Sequence, residues 1–344
     1  MPQAPDDDHY GLLAKRMLAG AVVPFLGAGV NLCGRPPQPS PWRPGEHLPS
    51  GRELSEYLAA ELDYPYPDTG DLLRVSQYVD VSLGGGPLYE TLHSAFDADY
   101  PPTAVHHLLA SLPRLVRGTA GTRPFFPLII TTNYDDALER AFVQAGEPFD
   151  LVTYLADGPD RGKFQHTHPD GTVTLIAVPN EYTELRCAQR PVIAKIHGTV
   201  GRGVQDADSY VITENHYISY LAHTDIAQLI PVNLAVRMRK SHFLFLGYSL
   251  KDWNLRVILH RLWGDAAPRF RSWAIQYGPD GIDEKSWAQR GVDVFDQRLE
   301  GYTTRLEEQL AEAAAGQQAA AAGQAAAEQA AQAGTDPAVP AAPR

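Results

Sequence analysis

The chain is short of thiols: its 344 residues include two cysteines, Cys33 and Cys187. That excludes a four-thiolate zinc site, and nothing else suggests a secreted, disulfide-stapled protein. Long apolar runs are missing too, so no segment approaches the roughly 20 residues of a membrane-spanning helix. Residues 1–8 are acidic and poor in apolar side chains, the opposite of a secretory signal. A cytoplasmic protein is expected. Positive charge is scarce: 29 Lys and Arg stand against 41 Asp and Glu, a net charge of −12. This argues against direct nucleic-acid binding. The local exception, Arg237-Met238-Arg239-Lys240, reads as the cationic C-terminus of a helix before a strand.

What is present is ordinary for a globular protein with a substantial core: 44% hydrophobic and 20% charged residues. Apolar spacing predicts a helix over 9–19, and Val22 to Leu26 reads as a short buried strand. Proline is dense from Arg35 to Pro49, an extended loop. Ser50-Gly51-Arg52-Glu53 has the Ser-x-x-Glu capping pattern and opens an amphipathic helix. Further helices to about residue 112 suggest a helical lobe inserted at about 50–115. Strands are expected at 126–131, 150–155, 172–178, 192–196, 210–212, 242–246 and 271–276. Helices are expected at 135–144, 214–221, 225–238, 252–263 and 283–289. This alternation predicts an α/β fold with a doubly wound, parallel, Rossmann-like sheet and ligand beyond the strand C-termini. Residues 1–305 are expected to form this domain. The Ala/Gln-rich stretch 306–344 is expected to be a helix fraying into a disordered tail.

Four segments stand at or just after strand C-termini: Gly27-Ala28-Gly29, Thr131-Thr132-Asn133-Tyr134-Asp135, Lys195-Ile196-His197-Gly198, and Phe245-Leu246-Gly247-Tyr248-Ser249-Leu250. Gly27 and Gly29 allow a tight turn and a close approach of N–H groups to a diphosphate. The usual dinucleotide fingerprint is broken, since Leu32 stands at the third glycine and a proline-rich loop replaces the acidic residue about twenty positions on. No Gly-x-x-x-x-Gly-Lys-Ser/Thr loop occurs. An ordinary dehydrogenase and a P-loop nucleotidase are both disfavoured.

Together the four segments resemble the sirtuin fold from about Ala21 to about Leu299. In that family such loops surround the nicotinamide riboside of NAD. The resemblance implies that Asn133 and His197 are the catalytic pair and that Asp135 is the acidic residue of the same loop. Asp135 is equally well read as a cap for the helix entered at Asp136 or Ala137. An Asn offers an acceptor and two donors without charge, and an imidazole can take a proton near neutral pH. Gly27, Ala28, Gly29, Val30, Asn31 and Thr132 are expected to contact NAD, with Gly247, Tyr248 and Ser249 receiving its adenosine half. Ile275 and Gln276 fall where the family reads more of the adenosine. Thr131 and Thr132 are strand-end residues whose hydroxyls satisfy the loop backbone. Asp252 reads as a helix cap. His166 and His168 look like a metal pair but read as a solvated loop. His106 and His107 read as helix packing.

Protein-deacetylating sirtuins carry a zinc module of two Cys-x-x-Cys pairs, and this chain has no such pair. No zinc is expected. The closer resemblance is to zinc-free sirtuin-like proteins of bacterial antiviral defence, which hydrolyse NAD. It implies an NAD glycohydrolase acting in abortive infection, regulated by homo-oligomerisation or a separately encoded activator protein. Two alternatives stand beside it: a non-hydrolytic NAD or ADP-ribose sensor, and a zinc-free deacylase or ADP-ribosyltransferase.

Overall fold

The computed structural model describes residues 4–36, 41–119, 125–222, 230–249, 256–257, 259–260 and 270–333. The expected helix at 252–263 and its Asp252 cap lie almost wholly outside the described residues, as do Leu250 and positions 225–229.

Strands β1 (Val22–Leu26), β2 (Leu128–Thr131), β6 (Val192–Lys195) and β9 (His242–Leu246) are apolar runs because both of their faces are covered. Val23 and Phe25 of β1 enter one core while Val22 and Leu26 enter the other. With β3 (Asp150–Tyr154), β4 (Phe164–Thr167), β5 (Val173–Ile176), β10 (Ser272–Gln276) and β11 (Val292–Asp296) they form one nine-stranded sheet, ordered β11-β10-β9-β1-β2-β6-β3-β4-β5. Every pairing from β11 to β3 is parallel. The sheet is therefore doubly wound, as the sequence predicts. At the β3 edge it departs from all-parallel order, because β4 and β5 add as antiparallel strands. A separate pair, β7 (Gly198–Thr199) and β8 (Ser209–Tyr210), follows His197.

One face carries α1 (Asp7–Leu18), α5 (Ala104–Gly118), α6 (Ala137–Gln144) and α10 (Leu299–Ala333). The other carries α7 (Glu214–Ala222) and α8 (Val232–Arg239), with α9 (Gly281–Ala288) packing Trp287 beneath β9. A third core belongs to α2 (Gly51–Glu61), α3 (Leu72–Leu83) and α4 (Gly85–Phe96), built on residues such as Leu58, Val79 and Leu92. These three helices fall within the stretch expected as an inserted lobe. α5, inside the 50–115 stretch, packs instead with α1, α6 and α10. α10 continues past residue 306 as a docked helix, burying Tyr302, Leu306, Leu310 and Ala314.

His166 is a correction. It lies on β4, fully buried, and not in a solvated loop. Its ring nitrogens meet the Asp150 carboxylate at 3.0 Å and the Tyr182 hydroxyl at 2.7 Å. Arg190 Nε donates to the same Asp150 oxygen at 2.9 Å. Burial pushes the Asp150 carboxyl up, but His166 and Arg190 outweigh it and hold the group below the usual carboxylate range. Asp150, His166 and His168 are grouped closely enough to hold a metal, yet this hydrogen-bonded network already accounts for the two buried members.

Candidate active site

In the parallel sheet the strand order reverses between β1 and β9, and the loops after these two strands face each other there. Their glycines are used on one another. A Cβ on Gly29 would lie 2.6 Å from the Gly247 carbonyl oxygen, and one on Gly247 would lie 2.2 Å from Val30 N. Gly247 also has φ +63°. The Gly27 N–H donates to Leu246 O at 3.1 Å and the Gly29 N–H to Gly247 O at 2.8 Å. Two amides expected at a diphosphate are therefore committed to the loop–loop junction. The segment that follows, Ala28–Leu32, is a short 3-10 turn and no α-helix.

A cavity of about 480 Å³ opens beside this junction. It is lined by Gly27, Ala28, Gly29 and Asn31, by Thr132, Asn133 and Asp135, by His197, and by Gly247, Tyr248 and Ser249. Every expected site residue except Val30 thus meets in one place. Val30 does not line it: its side chain is fully buried in the core under the sheet and its N–H donates to Gly27 O at 3.1 Å. A valine in that turn packs inward while its neighbours face the cavity.

The Asn133 loop is held from several sides. The Asn133 N–H donates to Thr131 Oγ1 at 3.0 Å, and Asn133 Nδ2 to Gly27 O at 3.3 Å. Thr132 N–H and Oγ1 both turn to Leu26 O, so the two threonines do satisfy the loop backbone. Asp135 engages both oxygens: Oδ1 accepts the Ala137 N–H at 3.1 Å, and Oδ2 accepts from Asn31 Nδ2 at 3.3 Å. It both caps the turn into α6 and fixes Asn31 at the cavity wall. Beneath, fully buried Lys195 donates from Nζ to Tyr134 O at 3.2 Å, Asp135 O at 2.5 Å and Glu139 Oε1 at 2.8 Å. The buried ammonium gathers carbonyl dipoles and one carboxylate, which fixes the backbone that carries Asn133.

His197 follows Ile196 at the end of β6 and is 3% exposed. Its ring meets the edges of Tyr217 and Tyr220 of α7, with centroids at 5.4 and 5.8 Å. Gly198 must be glycine, since φ is +89° and a Cβ would fall 1.9 Å from Ser209 O.

The other wall went unassigned from the sequence. Pro49, Arg52, Phe96 and Tyr217 line the same cavity. The Ser50/Glu53 capping box located the start of α2 and is present, but nothing in the pattern showed that this helix end faces the cleft. Arg52 is the guanidinium of this wall; its side chain is 80% exposed and pairs with Glu56 at 2.8 Å. A second cavity of about 460 Å³ shares Gly29, Gly247, Tyr248 and Ser249 and continues to Ile275, Gln276 and Arg298. Gln276 Nε2 donates to Tyr248 O at 2.9 Å, and Arg298 lies 4.2 Å over the Tyr277 ring. The two cavities share this wall, and their linings lie at the C-terminal ends of β6, β2, β1, β9 and β10, the cleft of this site.

Comparison with known proteins points the same way. Residues 127–295 match the SIR2-like domain family. The chain is 28% identical over 212 residues to the NAD(+) hydrolase ThsA of Acinetobacter baumannii (strain 532279), covering 61% of this chain and 35% of that protein. It is 25% identical over 242 residues to the NAD(+) hydrolase ThsA of Enterococcus faecium, covering 70% and 39%. The namesake from Cytobacillus dafuensis is 23% identical over 209 residues, covering 61% and 34%. The chain thus spans between about a third and two fifths of the length of these curated relatives. The matched stretch omits β1, yet β1 is a central strand of the same sheet and brings its Gly27–Gly29 turn to the cleft. With these loops gathered at the switch point of a parallel sheet, the chain is similar over residues 127–295 to the SIR2-like domain family.

Proposed function

We propose that this protein is an NAD glycohydrolase that cleaves NAD to nicotinamide and ADP-ribose. One observation carries the reading: Asn133 and His197 line one cavity at the switch point, and a second cavity shares its Gly29, Gly247, Tyr248 and Ser249 wall. The nicotinamide riboside would occupy the first cavity and the adenosine the second.

In the bound substrate the pyridinium ring is cationic, so it departs with the bonding pair as neutral nicotinamide and needs little acid assistance. The ribose C1′ then has oxocarbenium character, as in glycoside cleavage. Asn133, tied to Gly27 O through one Nδ2 hydrogen, keeps its carbonyl and its second N–H for a water or a ribose hydroxyl. Water adds to C1′ and its proton passes to His197, then to solvent. The balance is NAD plus water giving nicotinamide, ADP-ribose and a proton. The near-complete burial of Asn133 and His197 limits bulk water at the reacting carbon. Because Gly27 and Gly29 have committed their N–H groups, the diphosphate would be met by Ser249, which is exposed at the cleft, and by Arg52 at the rim.

The same resemblance extends the proposal to a role in antiviral defence in the cytoplasm, with activity released by self-assembly or by a separate activator. Incubating the full chain with NAD and separating nicotinamide, ADP-ribose and residual NAD tests the activity. Equal release of the two products supports hydrolysis. An acetylated peptide deacetylated in step with NAD use would support the deacylase alternative.

A further inference from the structure

At the other end of the sheet, where β1, β2 and β9 begin, lies a cavity of about 720 Å³, larger than either half of the cleft. It is walled by the turn before β1, the residue Phe125 ahead of β2, the 185–189 loop, and the end of α8. Arg186, Arg237 and Lys240 line it, and among the described residues no carboxylate does. That is a marked local reversal in a chain of net charge −12. Among the described residues none of the three forms an ion pair, whereas nearby Arg190 and Arg117 are paired with Asp150 and Glu147.

Arg237 is the most telling. It is 7% exposed, and its Nη2 donates to Gly20 O and Phe126 O, which pins the entries to β1 and β2. Its Cζ lies 5.0 Å over the Phe125 ring. Nε and Nη1 are buried without an oxygen or nitrogen acceptor, and the side chain that the guanidinium engages is the Cys187 thiol, not an acid. A buried guanidinium without a counter-charge is costly, and an anion supplied from outside removes that cost. Phe125 and Val236 on the same wall stay 47% and 43% exposed, an apolar surface beside the cations. Asn233, Gln189 and Ser241 add neutral hydrogen-bonding groups.

We propose that this cavity binds a small organic anion: its phosphate or carboxylate meets Arg186, Arg237 and Lys240, and its flat apolar body lies against Phe125 and Val236. The site is separate from the cleft and does not rest on the NAD reading. The sequence marked 237–240 as a basic stretch but read it as a helix terminus. α8 does end there, at Arg239; burial of Arg237 beside a cavity is what adds a ligand to that account.

The test uses the full chain and 1-anilinonaphthalene-8-sulfonate, an aromatic anion whose fluorescence rises on binding. The comparison is with Arg186→Glu/Lys240→Glu, both exposed positions outside the catalytic cleft, with thermal melting confirming the fold. The native protein should bind about one molecule per chain that the variant holds about ten-fold or more weakly, as expected when like charges face the ligand. AMP and salicylate, as phosphate and carboxylate arms, should displace that molecule, and inorganic phosphate should do so less well. Equal binding by a folded variant, or no binding by the native chain, overturns the site. Displacement by inorganic phosphate as strong as by AMP overturns the role of Phe125 and Val236.

Discussion

Replacing Lys195 with methionine tests how the site is held. The methionine fills the stem of the lysine but removes an ammonium that donates to Tyr134 O, Asp135 O and Glu139 Oε1. Tyr134 O keeps the Val200 N–H, so its loss is slight. Glu139 fares worse: its side chain is 13% exposed and its Oε2 already lacks a partner. Removing one member of a buried pair costs about 3–5 kcal/mol, chiefly through the orphaned charge. Lys195→Met should therefore lose about 3–4 kcal/mol in urea unfolding. Adding Glu139→Gln removes the stranded charge and should recover about half of that, a coupling expected for groups in contact. Activity should not recover in parallel, because the Asn133 loop still lacks its anchor, and a shift of about 1 Å can cost about 100-fold in turnover. NAD cleavage measured below the unfolding transition should thus fall mainly in kcat for both variants. A Lys195→Met protein within about 1 kcal/mol of the native chain and with native kcat would refute the anchoring role.

Arg52→Ala should raise KM for NAD several-fold and leave kcat nearly unchanged, as expected for a rim cation that binds ground and transition states alike; steady-state kinetics would show it. Acid should destabilise the fold early through two histidines. Burial, with His107 adding to it, pushes His106 down to about 3; burial also takes His9 down to about 4 despite opposing Asp6 and Asp293. Their neutral forms are stabilised, so this contribution is complete above the unfolded value near pH 6.5 and drains as the pH falls toward 3–4. Between pH 6.5 and 5 each should cost up to about 1.4 kcal/mol per pH unit, and His106→Asn should remove one of the two slopes in urea titrations. Truncation after Gly316 should leave unfolding cooperative and within about 1 kcal/mol of native, whereas truncation before Leu306 should cost several kcal/mol because Leu306 and Leu310 are fully buried.

The parallel core was legible because β1, β2, β6 and β9 are covered on both faces and so read as apolar runs ending in turn residues. β4, Phe-Gln-His-Thr, and β11, Val-Asp-Val-Phe-Asp, escaped notice since each buries one face only and alternates with polar side chains. The same alternation hid His166, a buried histidine made comfortable by partners 16 positions away in both directions, Asp150 and Tyr182. At the site the loops themselves were readable, and the cavity gathers Asn133, Asp135, His197, Gly27, Gly29 and Gly247. The use of those glycines was not: Gly-Ala-Gly looks the same whether it approaches a diphosphate or another loop, and the latter depends on Gly247, more than 200 residues away. Arg52, Phe96 and Tyr217 were out of reach for the same reason, since a helical pattern shows which face is apolar but not which end meets a cleft. Their role is set by where the lobe and α7 dock.

The central claim is tested most directly by NAD cleavage in the native chain against Asn133→Ala. Asn133 gives up one side-chain hydrogen bond, to Gly27 O, so the variant should stay folded at a cost of about 1 kcal/mol. If Asn133 orients the water or ribose at C1′, nicotinamide release should fall by roughly two to four orders of magnitude while NAD binding changes little. Nicotinamide release by the folded variant equal to that of the native chain under conditions in which the native chain is active would contradict the account.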